Sequence, residues 1–287
     1  MNYETAQALR TAIEHRLRTQ SEATGISLDR LRRRVVFERV VARLDTAEPG
    51  RWVLKGGMAL EVRLRDRARL TKDIDLGLRE VLADADDLHE RLVEALSADP
   101  FEDYFVLAVP PLVPLQEDGG GFLTWRTTVE ASLAGRVFGR VKVDISPREH
   151  ELESTDHIPL PNSLEFARIS VPTIEIIDVQ RHAAEKLHAI QRQYGDRENS
   201  RVRDLVDLVI LNESDLLDRG RLSVEVRNVW REREHADPPI GRPPIPAGWH
   251  DRYEQLAEEN DLQTQTFAAA VEFVDALWTD LTTTEEH

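Results

Sequence analysis

The chain predicts an α/β (α+β) protein: a mixed sheet with helices, then a mainly helical C-terminal domain. Three observations carry this. A helical apolar period runs through the first 45 residues, alternating runs broken by glycine turns lie between residues 46 and 150, and helical spacing returns after Pro172. The expected divisions are an N-terminal helical extension over 1–45, an α/β domain over 46–170 and a helical domain over 171–287.

Taken in order, Ala8, Leu9, Ile13 and Leu17, then Leu31, Val35, Val36, Val40, Val41 and Leu44, mark the apolar faces of two helices. Ser27 with Asp29 suits the start of the second helix, and Pro49-Gly50 its stop. Trp52-Val53-Leu54 reads as a short buried strand ending at Lys55-Gly56-Gly57, and 58–65 returns to helical spacing. Residues 74–78 alternate as a strand and 88–96 form a helix. Strands follow at 105–109, 123–132 and 137–145, with Gly119-Gly120-Gly121 and Gly135 as turns. Helices are expected at 174–194, 202–212, 224–233, 249–259 and 264–281, with the proline-rich stretch 237–248 as an extended connector.

Hydrophobic residues at 41% and charged residues at 31% describe a globular chain, not a disordered one. The absence of cysteine excludes a disulfide framework and a thiolate zinc site. Residues 1–20 lack the apolar core of a signal peptide, and no apolar run approaches the ~20 residues that span a bilayer. We therefore expect a cytoplasmic protein with no membrane partner. The net charge of -16 opposes nucleic-acid binding by the chain as a whole. Its distribution is uneven, however: arginines crowd 32–69, whereas acids dominate 80–103 and 254–286. A local basic face is compatible with binding phosphate at one place.

Three features converge on one chemistry. Gly56-Gly57 sits between a strand and a helix, where glycine lets backbone N–H groups approach a phosphate and the helix N-terminus favours negative charge. Asp73-Ile74-Asp75 places two acids on one side of a strand, where their oxygens suit Mg²⁺. Asp144, within Val141-Lys142-Val143-Asp144-Ile145, is a third strand acid. On an adjacent strand it would complete a two-metal clamp, and it is also placed to act as general base. Each part alone has an ordinary structural explanation; the ordered set is far more specific. Thr71 falls on the side of Asp73, where its hydroxyl would bind nucleotide or, once phosphorylated, repel triphosphate.

Leu54-Lys55-Gly56-Gly57-Met58-Ala59-Leu60, followed by Arg69, Thr71, Lys72, Asp73, Ile74 and Asp75, resembles the AbiEii-type nucleotidyltransferase toxins. These include the MenT toxins of mycobacteria and belong to the polymerase-β-like nucleotidyltransferase superfamily. Ala184-Glu185-Lys186-Leu187-His188-Ala189-Ile190 resembles the family's helical lysine motif, and Arg201 to Leu208 its later aspartate helix. The resemblance spans most of residues 27–275. It implies a polymerase-β-like fold, an NTP substrate and Mg²⁺ or Mn²⁺ held by Asp73 and Asp75, to which the strand reading adds Asp144. It makes Lys186 and Asp204 catalytic alongside them. Nucleotide contacts are then expected from Gly56, Gly57, Thr71, Lys72, Lys186, His188 and Asp204. The wider superfamily has Gly-Ser at the turn; Gly56-Gly57 lacks that hydroxyl and leaves the contacts to backbone amides.

The resemblance further implies a toxin that transfers NMP from an NTP to the 3′-CCA end of tRNA, releases pyrophosphate, blocks translation and is opposed by a cognate antitoxin. Arg32, Arg33, Arg34, Arg39 and Arg63 are the candidate RNA-binding residues. Two alternatives stay open: nucleotidylation of a protein or small-molecule hydroxyl, and a nucleotide-binding regulator without catalysis.

Overall fold

Helix α1 (Ala6–Thr24) starts where the Thr5 hydroxyl accepts the Ala8 N–H, and it ends at Gly25, which turns to φ 72. This computed structural model describes residues 3–69, 71, 73–80, 84–115, 123–147, 152–192, 198–242 and 244–283. The chain divides into two compact units: Met1–Val62 with Leu70–Ile176, and Arg63–Arg69 with Ile177–His287. Among the described residues no helix is long and apolar enough to cross a membrane.

Helix α2 (Leu28–Ala47) is buried from Val35 through Leu44, because α1, α4 (Ala85–Ser97) and strand β6 (Arg136–Pro147) surround it. Its charged residues therefore need partners inside the first unit. Arg43 donates to Asp103 at 2.6 Å and to the carbonyls of Leu96 and Phe105. Arg39, with no exposed surface, lies 3.6 Å from Asp103 and over the Phe101 ring. A guanidinium enclosed in this way cannot touch an RNA backbone, so Arg39 leaves the set of candidate RNA contacts.

Glu38, also fully buried, accepts from the Ser163 N–H and hydroxyl at 2.8 and 2.7 Å. Burial nevertheless pushes its carboxyl up to about 7. A carboxyl raised on folding adds stability that is complete below its unfolded value of 4.5 and is lost as pH rises through about 7. Glu38→Gln should remove this loss and raise stability at pH 8 by roughly 3 kcal/mol at most. Urea melts at pH 5 and pH 8 check it; an unchanged pH dependence in the variant would refute it.

The sheet runs in the order β3-β5-β6-β2-β1-β8-β7, with β4 also paired to β5. Its strands are β1 (Trp52–Lys55), β2 (Asp73–Leu78), β3 (Val106–Ala108), β4 (Val113–Pro114), β5 (Trp125–Leu133), β6, β7 (Thr155–Pro159) and β8 (Thr173–Ile177). It is mixed: β2 is antiparallel to β1 and parallel to β6, while β5 and β6 form an antiparallel hairpin. Ala134 and Gly135 both take positive φ, 51 and 69, as a two-residue hairpin turn requires. The register shifts beyond Ser132↔Val137 to Ala131↔Gly139, so Phe138 is an extra, bulged residue. Phe138 points into the core, as do Val141, Val143 and Ile145; the bulge thus switches the phase of the strand. Arg140, Lys142 and Asp144 consequently face the other side.

Strands β4, β7 and β8 escape the sequence reading. The helix expected over 174–194 begins instead as β8, because Ile174, Ile176 and Ile177 fit either period over so short a window. Helix α5 (Val179–Gln191) starts at Asp178, whose carboxylate accepts the N–H groups of Gln180 and Arg181 at 2.8 and 3.1 Å. The glycine turn 119–121 lies outside the described residues. In the second unit, α5 packs on α6 (Val202–Glu213) and α7 (Arg219–Glu234), α6 on α8 (His250–Glu259), and α7 on α9 (Phe267–Thr283). The connector after α7 is tied to this bundle where Trp278 donates to the Pro239 carbonyl at 3.2 Å.

Candidate active site

Strand alternation sets the carboxylates. Asp73 and Asp75 are two residues apart on β2, with Ile74 buried between them. Asp75 is the register partner of Asp144 on β6 and of Lys55 on β1, while Asp73 pairs with Lys142. The three acids therefore share the sheet face opposite Val141, Val143 and Ile145, at the end of β1 where α3 (Gly56–Leu64) begins.

Gly56 explains why no other residue serves at that junction. It holds φ 60, and a Cβ there would stand 1.8 Å from Asp75 Oδ2 and 2.6 Å from its Cγ. The carboxylate of Asp75 thus occupies the space a side chain would need. Gly57 is buried within the first turn of α3. Lys72 lies outside the described residues.

Asp144 is engaged differently from the expectation. Both of its oxygens accept from Arg126 on β5, Oδ1 from Nε at 2.7 Å and Oδ2 from Nη2 at 2.6 Å. Arg126 is the register partner of Asp144, and this bidentate pair is joined by the charges of Asp73 and Asp75. The hydrogen bond it donates to Asp144 raises the Arg126 guanidinium pKa most. Among the described residues no group of three or more His, Cys, Asp or Glu is arranged to hold a metal ion. Asp73 and Asp75 still fit Mg²⁺, which keeps much of its water and is usually held by one or two carboxylates plus substrate phosphate.

In the second unit Lys186 is buried and donates to Asp204 at 2.9 Å and to Asp207 at 2.7 Å. Asp207, itself without exposed surface, also pairs with Arg69 at 2.7 Å. Burial alone would lower the Lys186 ammonium pKa; Asp204 and Asp207 outweigh it and hold it above its ordinary value. Asp204 thus meets Lys186 directly. His188, two residues on, turns elsewhere. It accepts or donates at 2.7 Å to Glu234 and meets the Trp230 ring edge-on at 4.9 Å, so the structure does not bring it to the Lys186 cluster.

Thr71 lines a small pocket with Arg30, Arg33, Arg34, Met58 and Glu61. Two of the arginines proposed for RNA therefore share a surface with it. Their charges are partly satisfied: Arg33 pairs with Asp29 at 3.2 Å and Arg34 with Glu61 at 2.8 Å. Arg32 makes a bidentate pair with Glu14, and Arg63 donates to the Ile177 carbonyl at 2.8 Å.

The residues the sequence reading missed are Arg126 and Asp207. The Gly135 turn could have signalled Arg126, but a plain two-residue hairpin would have set Trp125 opposite Asp144. Asp207 was visible, one helical turn from Asp204, yet nothing in the spacing ranked one above the other.

The chain shares its fold with a solved nucleotidyltransferase. Among solved structures, MenT4, a nucleotidyltransferase toxin from Mycobacterium tuberculosis H37Rv, is 19% identical; the match covers 96% of this chain and 90% of that one, with a TM-score of 0.57. A putative nucleotidyltransferase from H. pylori is 13% identical over 90% of this chain and 93% of its own, with a TM-score of 0.43. No curated protein matches the chain. Residues 39–278 match the family model described as Nucleotidyl transferase AbiEii toxin, Type IV TA system, and the chain belongs to this family.

Proposed function

We propose that this toxin-family enzyme transfers NMP from an NTP to the 3′-CCA end of tRNA and so blocks translation, acting in the cytoplasm and opposed by a cognate antitoxin. The observation that carries the reaction class is the register placing Asp73, Asp75 and Asp144 on one sheet face beside the positive-φ Gly56. The family supports the toxin reading, and its resemblance supports tRNA as acceptor. In the reaction the 3′-hydroxyl oxygen bonds to the α-phosphorus, and the bond from that phosphorus to the bridging oxygen breaks. Pyrophosphate then leaves with the electron pair, and the hydroxyl proton passes to solvent water. Asp73 and Asp75 would hold Mg²⁺ or Mn²⁺, which would supply Lewis-acid stabilisation of the phosphate and make the hydroxyl more acidic. Gly56 leaves the room that the Asp75 carboxylate occupies. Lys186 and Asp204 are assigned to the nucleotide by their match to the family's motifs.

The test incubates the protein with each labelled NTP, Mg²⁺ and either total tRNA or cell-lysate proteins. Label on tRNA 3′ ends is the expected result; label confined to protein or small molecules would overturn the acceptor. Charge reversal of Arg33 and Arg34 should weaken tRNA labelling and leave NTP binding intact. Gly56→Ala should cost at least about 100-fold in transfer rate by displacing the Asp75 carboxylate, since misplacing a reacting geometry by an ångström costs this much. Far-UV circular dichroism should show the fold retained, and near-normal rates would remove Gly56 from the site.

A further inference from the structure

Asp144 is the third strand acid expected to hold metal, yet its two oxygens are both bound by one guanidinium. Bidentate pairing of this kind fixes the plane of the arginine as well as its charge. Nε and one Nη2 proton are spent on Asp144, and among the described residues Nη1 has no acceptor. The Arg126 side chain is 35% exposed, whereas that of Asp144 is only 14% exposed, so the accessible member of the pair is the cation. Strand geometry aims Arg126 across the same face as Asp73 and Asp75, and both acids act on its charge. A cation clamp beside a carboxylate pair is what a triphosphate between metal and protein needs.

From this geometry we propose that Arg126 binds the phosphates of the NTP, and that Asp144 is a positioning residue that acts through Arg126 instead of ligating metal. The proposal rests on the nucleotidyltransferase reading. It also divides the labour: Asp73 and Asp75 hold the cation, while Asp144 holds the arginine.

The test measures Mn²⁺ affinity by electron paramagnetic resonance without nucleotide, and separately the affinity for a non-hydrolysable NTP, in Arg126→Gln, Asp144→Asn and the double variant. Arg126→Gln should weaken NTP binding by about tenfold or more, the worth of a charge-assisted hydrogen bond. It should at the same time tighten or preserve Mn²⁺ binding, because a cation beside the acids is gone. Asp144→Asn should leave Mn²⁺ affinity unchanged and weaken NTP binding less. The double variant should match Arg126→Gln, since Asp144 has nothing left to position. Arg126→Lys should recover part of the NTP affinity, which loss of fold would not allow. A drop of about tenfold in Mn²⁺ affinity for Asp144→Asn, or unchanged NTP affinity in Arg126→Gln, would overturn the proposal alone. A wild-type protein that binds neither Mn²⁺ nor NTP would overturn the nucleotidyltransferase reading and this proposal with it.

Discussion

Asp75→Asn is expected to cut nucleotidyl transfer by at least about 1,000-fold, the scale on which losing one strong electrostatic stabiliser of a transition state is felt. Asparagine keeps the shape of the side chain on β2 and removes the charge that sits between Lys55 and Asp144 in the register. The carboxylate is half-buried, against Gly56, and is not part of the apolar core, so the melting temperature should move little. Asp73→Asn should behave alike. Initial rates with labelled NTP and tRNA measure the effect, and growth on induction gives an independent readout. A variant within tenfold of wild type would sink the assignment of the catalytic pair.

Asp207→Ala should do the opposite, hurting stability first. Its carboxylate has no exposed surface and stands between Lys186 and Arg69, so its removal leaves two cations without their shared partner. Breaking a buried pair from one side costs about 3–5 kcal/mol. For a protein of this size that is a fall in Tm of about 10 °C. Burial alone would raise the Asp207 carboxyl; Lys186 and Arg69 outweigh it and hold it below the usual range. A carboxyl lowered on folding gives stability that is present above its unfolded value of 3.8 and is lost as pH falls through the folded one. Thermal melts from pH 7 downward should therefore show a steeper acid loss in wild type than in Asp207→Ala. Equal slopes would mean the ion cluster contributes nothing to folding.

Much of this was legible from residues alone, for identifiable reasons. The elements that could be read have long periods: α1, α2, α6 and α9 repeat an apolar face over several turns, and β5 and β6 alternate for many residues. Asp73 and Asp75 could be put on one side of a strand because that follows from spacing within one element. What escaped was set between elements. Nothing local distinguishes Arg39, sealed inside the first unit, from Arg33 on its surface; both belong to one arginine-rich helix, and only α1, α4 and the sheet decide between them. His188 follows Lys186 by two residues, nearly the far side of a helix, so proximity in sequence misled. Arg126 required knowing which residue of β5 lies opposite Asp144.

That opposition depends on one residue's being left out of the pairing. Phe138 interrupts the even alternation of its strand, and beyond it the odd positions turn inward. Were Phe138 paired with Ala131 instead of bulged, the residues lying inward with it would include Arg140, Lys142 and Asp144. The hairpin therefore acts as a phase selector: one backbone unit, far along the strand from any acid, chooses whether charge or hydrocarbon meets the open face. Deletion of Phe138 alone should accordingly keep Val141, Val143 and Ile145 inward and Arg126 opposite Asp144, because every pair from Ala131↔Gly139 onward is retained.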